Sequence, residues 1–310
     1  MTNAAIFATS EVPHNFFAWL TCGCRCLNKL TYEIGFRIVW GNERDSINKW
    51  RMESLGLKPI NDGPRGIFET MVRLRIPAIV ACSTLVCGPR RVRPGDCPPY
   101  IEIAGFPFVP GVEETGEAAD TRLVAFLARA EADGTPVIYL GLGSMPAEPA
   151  SLVALAAGVC KRLRCRAVIV AGWSGADAEL AGSNGALLII PQAQHEWLFA
   201  RVHCIVHHCG IGTTAAALRS GTPQVPAPFM LDQPFNAATV VKLGCAPAAA
   251  PYAKITEASL AAAIAKAMDP AQPFVAAAKR LGEFVRAESA GAIDKYANVV
   301  EAAAGRVFRV

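Results

Sequence analysis

The sequence predicts an α/β protein: a complete parallel-sheet domain over its C-terminal two-thirds, and only part of a second α/β domain before it. Three observations predict this. From residue 135 onward short apolar runs alternate with Ala-rich helical segments, the pattern that right-handed βαβ crossovers leave in a chain. One of those runs ends in the Gly-rich turn Cys209-Gly210-Ile211-Gly212, which opens a helical segment. An acidic, Gly-containing stretch from Gly111 to Asp120 separates this region from a more aromatic and basic one.

In the first region, Tyr32 to Leu55 has apolar positions at helical spacing, and Leu55-Gly56-Leu57 with Pro59 supplies the stop. Ile76 to Cys82 and Tyr100 to Phe106 read as buried strands. The divisions expected are a partial N-terminal domain (1–110), a linker and leading helix (111–134, with the helix from Thr121 to Ala132), a C-terminal domain (135–288) and a closing helix (289–310). Within the C-terminal domain the strand candidates are Val137–Leu142, Ala167–Ala171, Ala186–Ile190, Cys204–His208 and Gln224–Ala227. The helical segments between them are Pro149–Leu163, Gln194–Ala200, Thr213–Ser220 and Gln233–Leu243. Glu257–Met268, Pro273–Glu288 and Ala292–Ala304 follow as helices.

Composition narrows the function classes. The net charge of +4 arises entirely in residues 1–110, where thirteen Lys and Arg face nine Asp and Glu. The basic residues are scattered, and the densest group, Arg90, Arg91 and Arg93, sits in a Pro-rich loop, so no nucleic-acid surface is expected. No run of eighteen apolar residues suggests a membrane span, and the N-terminus lacks the pattern of a signal peptide. Eleven cysteines, an odd number spread along the chain, suit reduced thiols and a cytoplasmic setting. Cys22, Cys24 and Cys26 lack a second Cys/His pair at zinc-like spacing, so no metal is expected.

The residues that carry chemistry centre on Val206-His207-His208-Cys209-Gly210-Ile211-Gly212-Thr213-Thr214. An apolar strand running into glycines and then a helix brings free backbone N–H groups and the positive end of the helix dipole to one point, which suits a phosphate. Gly210 and Gly212 admit a close approach, Thr213 and Thr214 add hydroxyls, and His208 can donate a ring N–H or carry charge. The same residues also read as G-x-G-x-x-A with Asp232 downstream, a dinucleotide fingerprint, although that motif belongs to the first strand of its domain and here strands precede it. His207 points to the opposite face and reads as structural. Asp232 fits a helix N-cap, a sugar-hydroxyl acceptor, or both.

The order and spacing of His208-Cys209-Gly210, Thr213-Thr214, Gly221-Thr222-Pro223, Pro228 and Asp232-Gln233 resemble the donor-binding signature of the UDP-glycosyltransferases. Pro191-Gln192, His195 and Leu198-Phe199 resemble its beginning. The doubled His207-His208, with Arg219-Ser220-Gly221 and Asp232 to Asn236, is most similar to the sterol glucosyltransferases and their antibiotic-glycosylating relatives. Leu140 to Met145 resembles the family's Gly-Ser turn, Ala171-Gly172-Trp173 its next strand end, and Leu281-Gly282 with Glu288 and Gly291 its closing helix. Asn28, Trp40, Asn48 and Arg51 resemble its acceptor-side helix, and Gly105-Phe106 the strand entering the linker.

This resemblance implies the two-Rossmann-domain GT-B fold and an inverting transfer of a hexose, by family habit glucose, from a UDP-sugar to a sterol or other lipophilic hydroxyl acceptor. It implies peripheral membrane contact through the acceptor and no metal or other cofactor. The implied donor-binding residues are Ser144, His208, Gly210, Gly212, Thr213, Thr214, Asp232 and Gln233, with Gln233 giving both donor and acceptor to sugar hydroxyls. Gly143, Trp173, Gln192 and His195 are secondary candidates, Trp173 being equally suited to the core.

Departures bear on activity. Ile189 stands where the signature has a base-stacking tryptophan, Ala216 where it has a ribose-binding glutamate, and Cys209 where the sterol branch has glycine. The family's catalytic histidine follows a Gly-rich first strand, whereas here the sole histidine before residue 195 is His14, in Val12-Pro13-His14-Asn15. The catalytic base is thus unassigned. The expectation is an enzyme inactive as this chain, or a non-catalytic nucleotide-sugar-binding protein; an NAD-type oxidoreductase is a more distant reading.

Overall fold

The computed structural model describes residues 27–61, 63–86, 95–109, 111, 120–143, 145, 148–171 and 185–307. The chain divides into two units, Met1–Phe108 with Glu288–Val310, and Val109–Ala287.

The first unit opens with helix α1 (Asn28–Leu55), one turn longer at its start than the periodicity predicts. Its N-terminal half buries Thr31, Tyr32, Gly35, Phe36 and Trp40, a stripe at three- and four-residue spacing. Phe36 stacks on Phe68 with centroids 4.4 Å apart. Trp40 lies over Gly66, where a Cβ would stand 2.0 Å from the indole, so only glycine fits. The helix ends at Gly56 in the left-handed conformation, as the Leu-Gly-Leu pattern predicts. A short helix α2 (Ile67–Arg73), absent from the sequence reading, precedes strands β1 (Ala78–Val80) and β2 (Ile101–Ile103), which pair in parallel. Both strands are shorter than predicted.

The second unit runs α3 (Thr121–Ala132), β3 (Val137–Gly141), α4 (Pro149–Leu163), β4 (Arg166–Val170), β5 (Leu187–Ile190), α5 (His195–Phe199), β6 (Cys204–His207), α6 (Ile211–Ser220), β7 (Gln224–Pro226), α7 (Gln233–Leu243), α8 (Glu257–Met268) and α9 (Pro273–Ser289), the last two residues of α9 belonging to the first unit. Local chemistry starts these helices: the Asp120 carboxylate accepts from the Arg122 N–H, Glu148 from Ala150 and Ser151, and Thr256 with Ser259 closes a capping box. The five strands are all parallel, in the order β5-β4-β3-β6-β7.

Strand alternation divides the core in two. Ile138, Leu140, Ala167, Ile169 and Val206 pack with Leu152, Ala156 and Val159 of α4 and Leu260 and Ile264 of α8. On the other face Tyr139, Val168, Val170 and Ile205 pack with Leu123 of α3, Trp197, Leu198 and Phe199 of α5, and Ala216 and Ala217 of α6. Every residue of β3 is buried, as a central parallel strand covered on both faces requires.

Helix α10 (Ala292–Val307) returns to the first unit, where the Tyr296 hydroxyl donates to the Gly105 carbonyl at 3.1 Å. Beside it the Thr84 N–H and hydroxyl both donate to Glu288 Oε1, at 2.9 and 2.5 Å. No helix among the described residues is long and apolar enough to cross a membrane. Among the described residues no group of three or more His, Cys, Asp or Glu is placed to hold a metal; Cys22, Cys24 and Cys26 lie outside them.

Candidate functional site

Strand order reverses between β3 and β6, the first and fourth strands of the C-terminal sheet. In an open parallel sheet the helices that follow two such strands leave on opposite faces, and a crevice opens between the strands' carboxyl ends. Gly143, two residues beyond β3, and His208, the residue after β6, meet there. A Cβ on Gly143 would stand 2.7 Å from His208 Cε1, and one on Gly210 would stand 2.5 Å from Nε2. The imidazole is therefore seated between two glycines, and any side chain at either would displace it. His208 is 8% exposed. Burial holds its pKa below the ordinary histidine value, opposed by the Asp232 carboxylate.

Helix α6 begins at Ile211, two residues before the predicted Thr213, with Gly210 as its N-cap. No side chain caps it, and the first intrahelical bond is Thr214 N–H to Gly210 O at 2.9 Å. The N–H groups of Ile211, Gly212 and Thr213 thus face outward, and the space over Gly212 is open. Thr213 is half-buried. Thr214 is 1% exposed, with an Oγ1 that meets no partner.

One expectation needs correction. Asp232 occupies the N-cap position of α7, but in helical backbone conformation and without a capping bond; its Oδ2 instead accepts from Asn236 Nδ2 at 2.8 Å. Gln233 is held by its own loop. Its Oε1 already accepts the Phe229 and Met230 N–H groups at 2.8 and 3.2 Å, bracing the loop after β7, and only Nε2 remains, against Met145 Sδ at 3.1 Å.

His195 opens α5, stacks on Phe199 at 4.7 Å, and meets the Tyr139 hydroxyl through Nε2 at 3.1 Å. Its pKa is lowered, chiefly by burial, with a smaller contribution from His208 nearby. Tyr139 completes this edge of the site and was not among the sequence candidates, although it is the one hydroxyl in an otherwise apolar strand. Burial raises its own pKa, so it stays protonated. Gln192 is exposed on the loop after β5. Ser144 and Trp173 lie outside the described residues.

His207 is fully buried, with Nε2 against Gln224 Oε1 at 2.9 Å, and burial drives its pKa down to about 3. It faces away from the crevice, as the strand alternation requires.

Known proteins resemble this chain over most of its length. Residues 189–292 match the erythromycin biosynthesis protein CIII-like C-terminal domain family. A sterol 3-beta-glucosyltransferase of Aspergillus terreus is 31% identical over 224 residues, covering 70% of this chain and 15% of the relative. Another, of Candida albicans, is 28% identical over 288 residues, covering 90% of this chain and 18% of the relative. The chain thus spans less than a fifth of either relative's length. Among solved structures, the glycotransferase of kitacinnamycin superposes with a TM-score of 0.60 at 20% identity, over 85% of this chain and 62% of that one. The calicheamicin glycosyltransferase CalG4 superposes at 0.57 and 16% identity, over 88% and 66%. These likenesses carry the fold: the architecture is GT-B, with a partial N-terminal domain among the described residues. By resemblance, then, the chain has the GT-B fold of known glycosyltransferases, is similar over most of its length to part of the sterol 3-beta-glucosyltransferases, and matches the erythromycin biosynthesis protein CIII-like C-terminal domain family over residues 189–292.

Proposed function

We propose that the chain binds a UDP-sugar at the carboxyl edge of its C-terminal sheet and serves hexosyl transfer, from UDP-glucose by family habit, to a sterol or another lipophilic hydroxyl acceptor. The observation that carries this reading is the convergence of the His208 imidazole, seated between Gly143 and Gly210, with the uncapped N–H groups of Ile211 to Thr213. Donors fixed before the ligand arrives pay no reorganisation cost as charge develops on a departing diphosphate. The anion would also raise the His208 pKa, so a ring that burial keeps neutral would take up a proton on binding. Inverting transfer needs a base to deprotonate the acceptor hydroxyl as that oxygen attacks the anomeric carbon. No such base is assigned here: the described histidines are 195, 203, 207 and 208, all in the C-terminal unit, and His14 lies outside the described residues. The proposed setting is the cytoplasm, with peripheral membrane contact only through a lipophilic acceptor, and without metal or nucleic acid.

The experiment is thermal unfolding with UDP-glucose or with NAD. A specific ligand at a hundred times its Kd stabilises by about 2.7 kcal/mol, several degrees in Tm for a unit of this size. UDP-glucose should give that shift and NAD little; an equal or larger shift with NAD would replace the donor reading by a dinucleotide one.

A further inference from the structure

One residue sets the geometry of the crevice. Cys209 joins the His208 ring to the mouth of α6, and its φ is +66°, a left-handed conformation that a residue with a Cβ adopts only under constraint. The constraint is visible on both sides. The Cys209 N–H donates to His207 Nδ1 at 3.2 Å, and the Cys209 carbonyl accepts from Asn236 Nδ2 at 2.9 Å. Because His207 Nδ1 must accept, the ring proton belongs on Nε2, where it donates to Gln224 Oε1 at 2.9 Å. Gln224 is held in turn, its Nε2 donating to Cys245 Sγ at 3.7 Å. His207, Cys209 and Gln224 are completely buried and Asn236 is 3% exposed, so water does not compete for these bonds.

We propose that His207 and Asn236 are positioning residues of the donor site, gripping the Cys209 backbone from its two sides and holding it left-handed. The His208 ring and the N–H groups of Ile211 to Thr213 then aim at one point. The proposal rests on the donor-site reading and gives two residues that touch no ligand a role in its affinity. Without the grip, Cys209 relaxes toward negative φ and turns the imidazole away from the helix mouth. A glycine at 209 would hold the same conformation without being gripped.

That contrast supplies the test: isothermal titration of UDP into the full chain, as wild type, Asn236→Ala, Cys209→Gly and the double variant. Asn236→Ala should weaken UDP about tenfold, Cys209→Gly should stay within about twofold of wild type, and the double variant should recover to within about threefold. Asn236 also bonds Asp232, but a loss transmitted through Asp232 would not be restored by glycine at 209. Should Asn236→Ala fail to fold, His207→Gln with and without Cys209→Gly gives the same comparison. If Asn236→Ala binds like wild type, or glycine restores nothing, the grip is overturned while the donor site stands. If the wild-type chain does not bind UDP, the donor reading is overturned and this role with it.

Discussion

The two units bury their strands to very different degrees. In Val109–Ala287 the five-stranded parallel sheet has helices on both faces, and β3, β6 and β7 are buried at every residue. In the other unit the described strands number two, β1 is buried only at Val80, and α1 leaves Leu30, Trp50 and Met52 about half exposed along its length. The difference shows where a precise site can be built. An imidazole held between two glycines needs strand ends that do not move, and those exist only where a full sheet pins them on both sides.

The largest effect is expected at Gly143. Its φ is +61°, and a side chain there would meet the His208 ring, so Gly143→Val should weaken UDP-glucose roughly thirtyfold or more, about 2 kcal/mol, while far-ultraviolet circular dichroism stays unchanged. Undiminished affinity would mean that the ring does not touch the ligand.

Acid should loosen the C-terminal unit first. Burial lowers the pKa of His195, His207 and His208, that of His207 to about 3, whereas in the unfolded chain each titrates near ~6.5. Between those values the unfolded state binds more protons. The stability these neutral rings contribute is therefore complete above about pH 6.5 and is lost as pH falls, for His207 down to about pH 3. Hydrogen exchange at about pH 5 should consequently rise in Cys204–Ser220 before it rises in Asn28–Leu55; the reverse order would show that buried histidines do not govern acid unfolding.

The smallest effect is expected in the first unit. Thr84→Ala removes one hydroxyl bond to Glu288 and should cost about 1 kcal/mol in denaturant unfolding, with UDP-glucose affinity within about twofold of wild type. A tenfold loss of affinity would show that the first unit shapes the donor site.

The same division explains what could be read from the sequence. In the C-terminal unit, α4, α7 and α8 begin and end at the predicted residues, because Pro149, the Asp232-Gln233-Pro234 turn and Thr256 mark their starts and Arg164, Gly244 and Asp269 their ends. Strands β3, β4, β6 and β7 end one residue early because pairing, not apolarity, ends them: Gly141 is the last residue of β3 to pair with β4 and β6. The start of α6 was misplaced because Ile211 and Gly212 carry no helix signal; what starts the helix there is the extended backbone of Gly210. Helix α2, at seven residues, is too short for a period to show. In the site, His208 and the Gly-rich turn were legible because they are contiguous. Tyr139 with His195, fifty-six residues apart, was not, nor was the engagement of Gln233 Oε1 by its own loop, since both are products of packing.

In the proposed donor site the His208 imidazole and the mouth of α6 together hold a diphosphate. Calorimetric titration of UDP-glucose into the wild-type chain and His208→Ala, at about pH 8 and about pH 6, tests it directly. The wild type should bind more tightly at the lower pH, because a ring whose free pKa is depressed gains a proton on binding, and His208→Ala should lose roughly tenfold to a hundredfold in affinity together with that pH dependence. Equal affinities for the two chains at both pH values would contradict it.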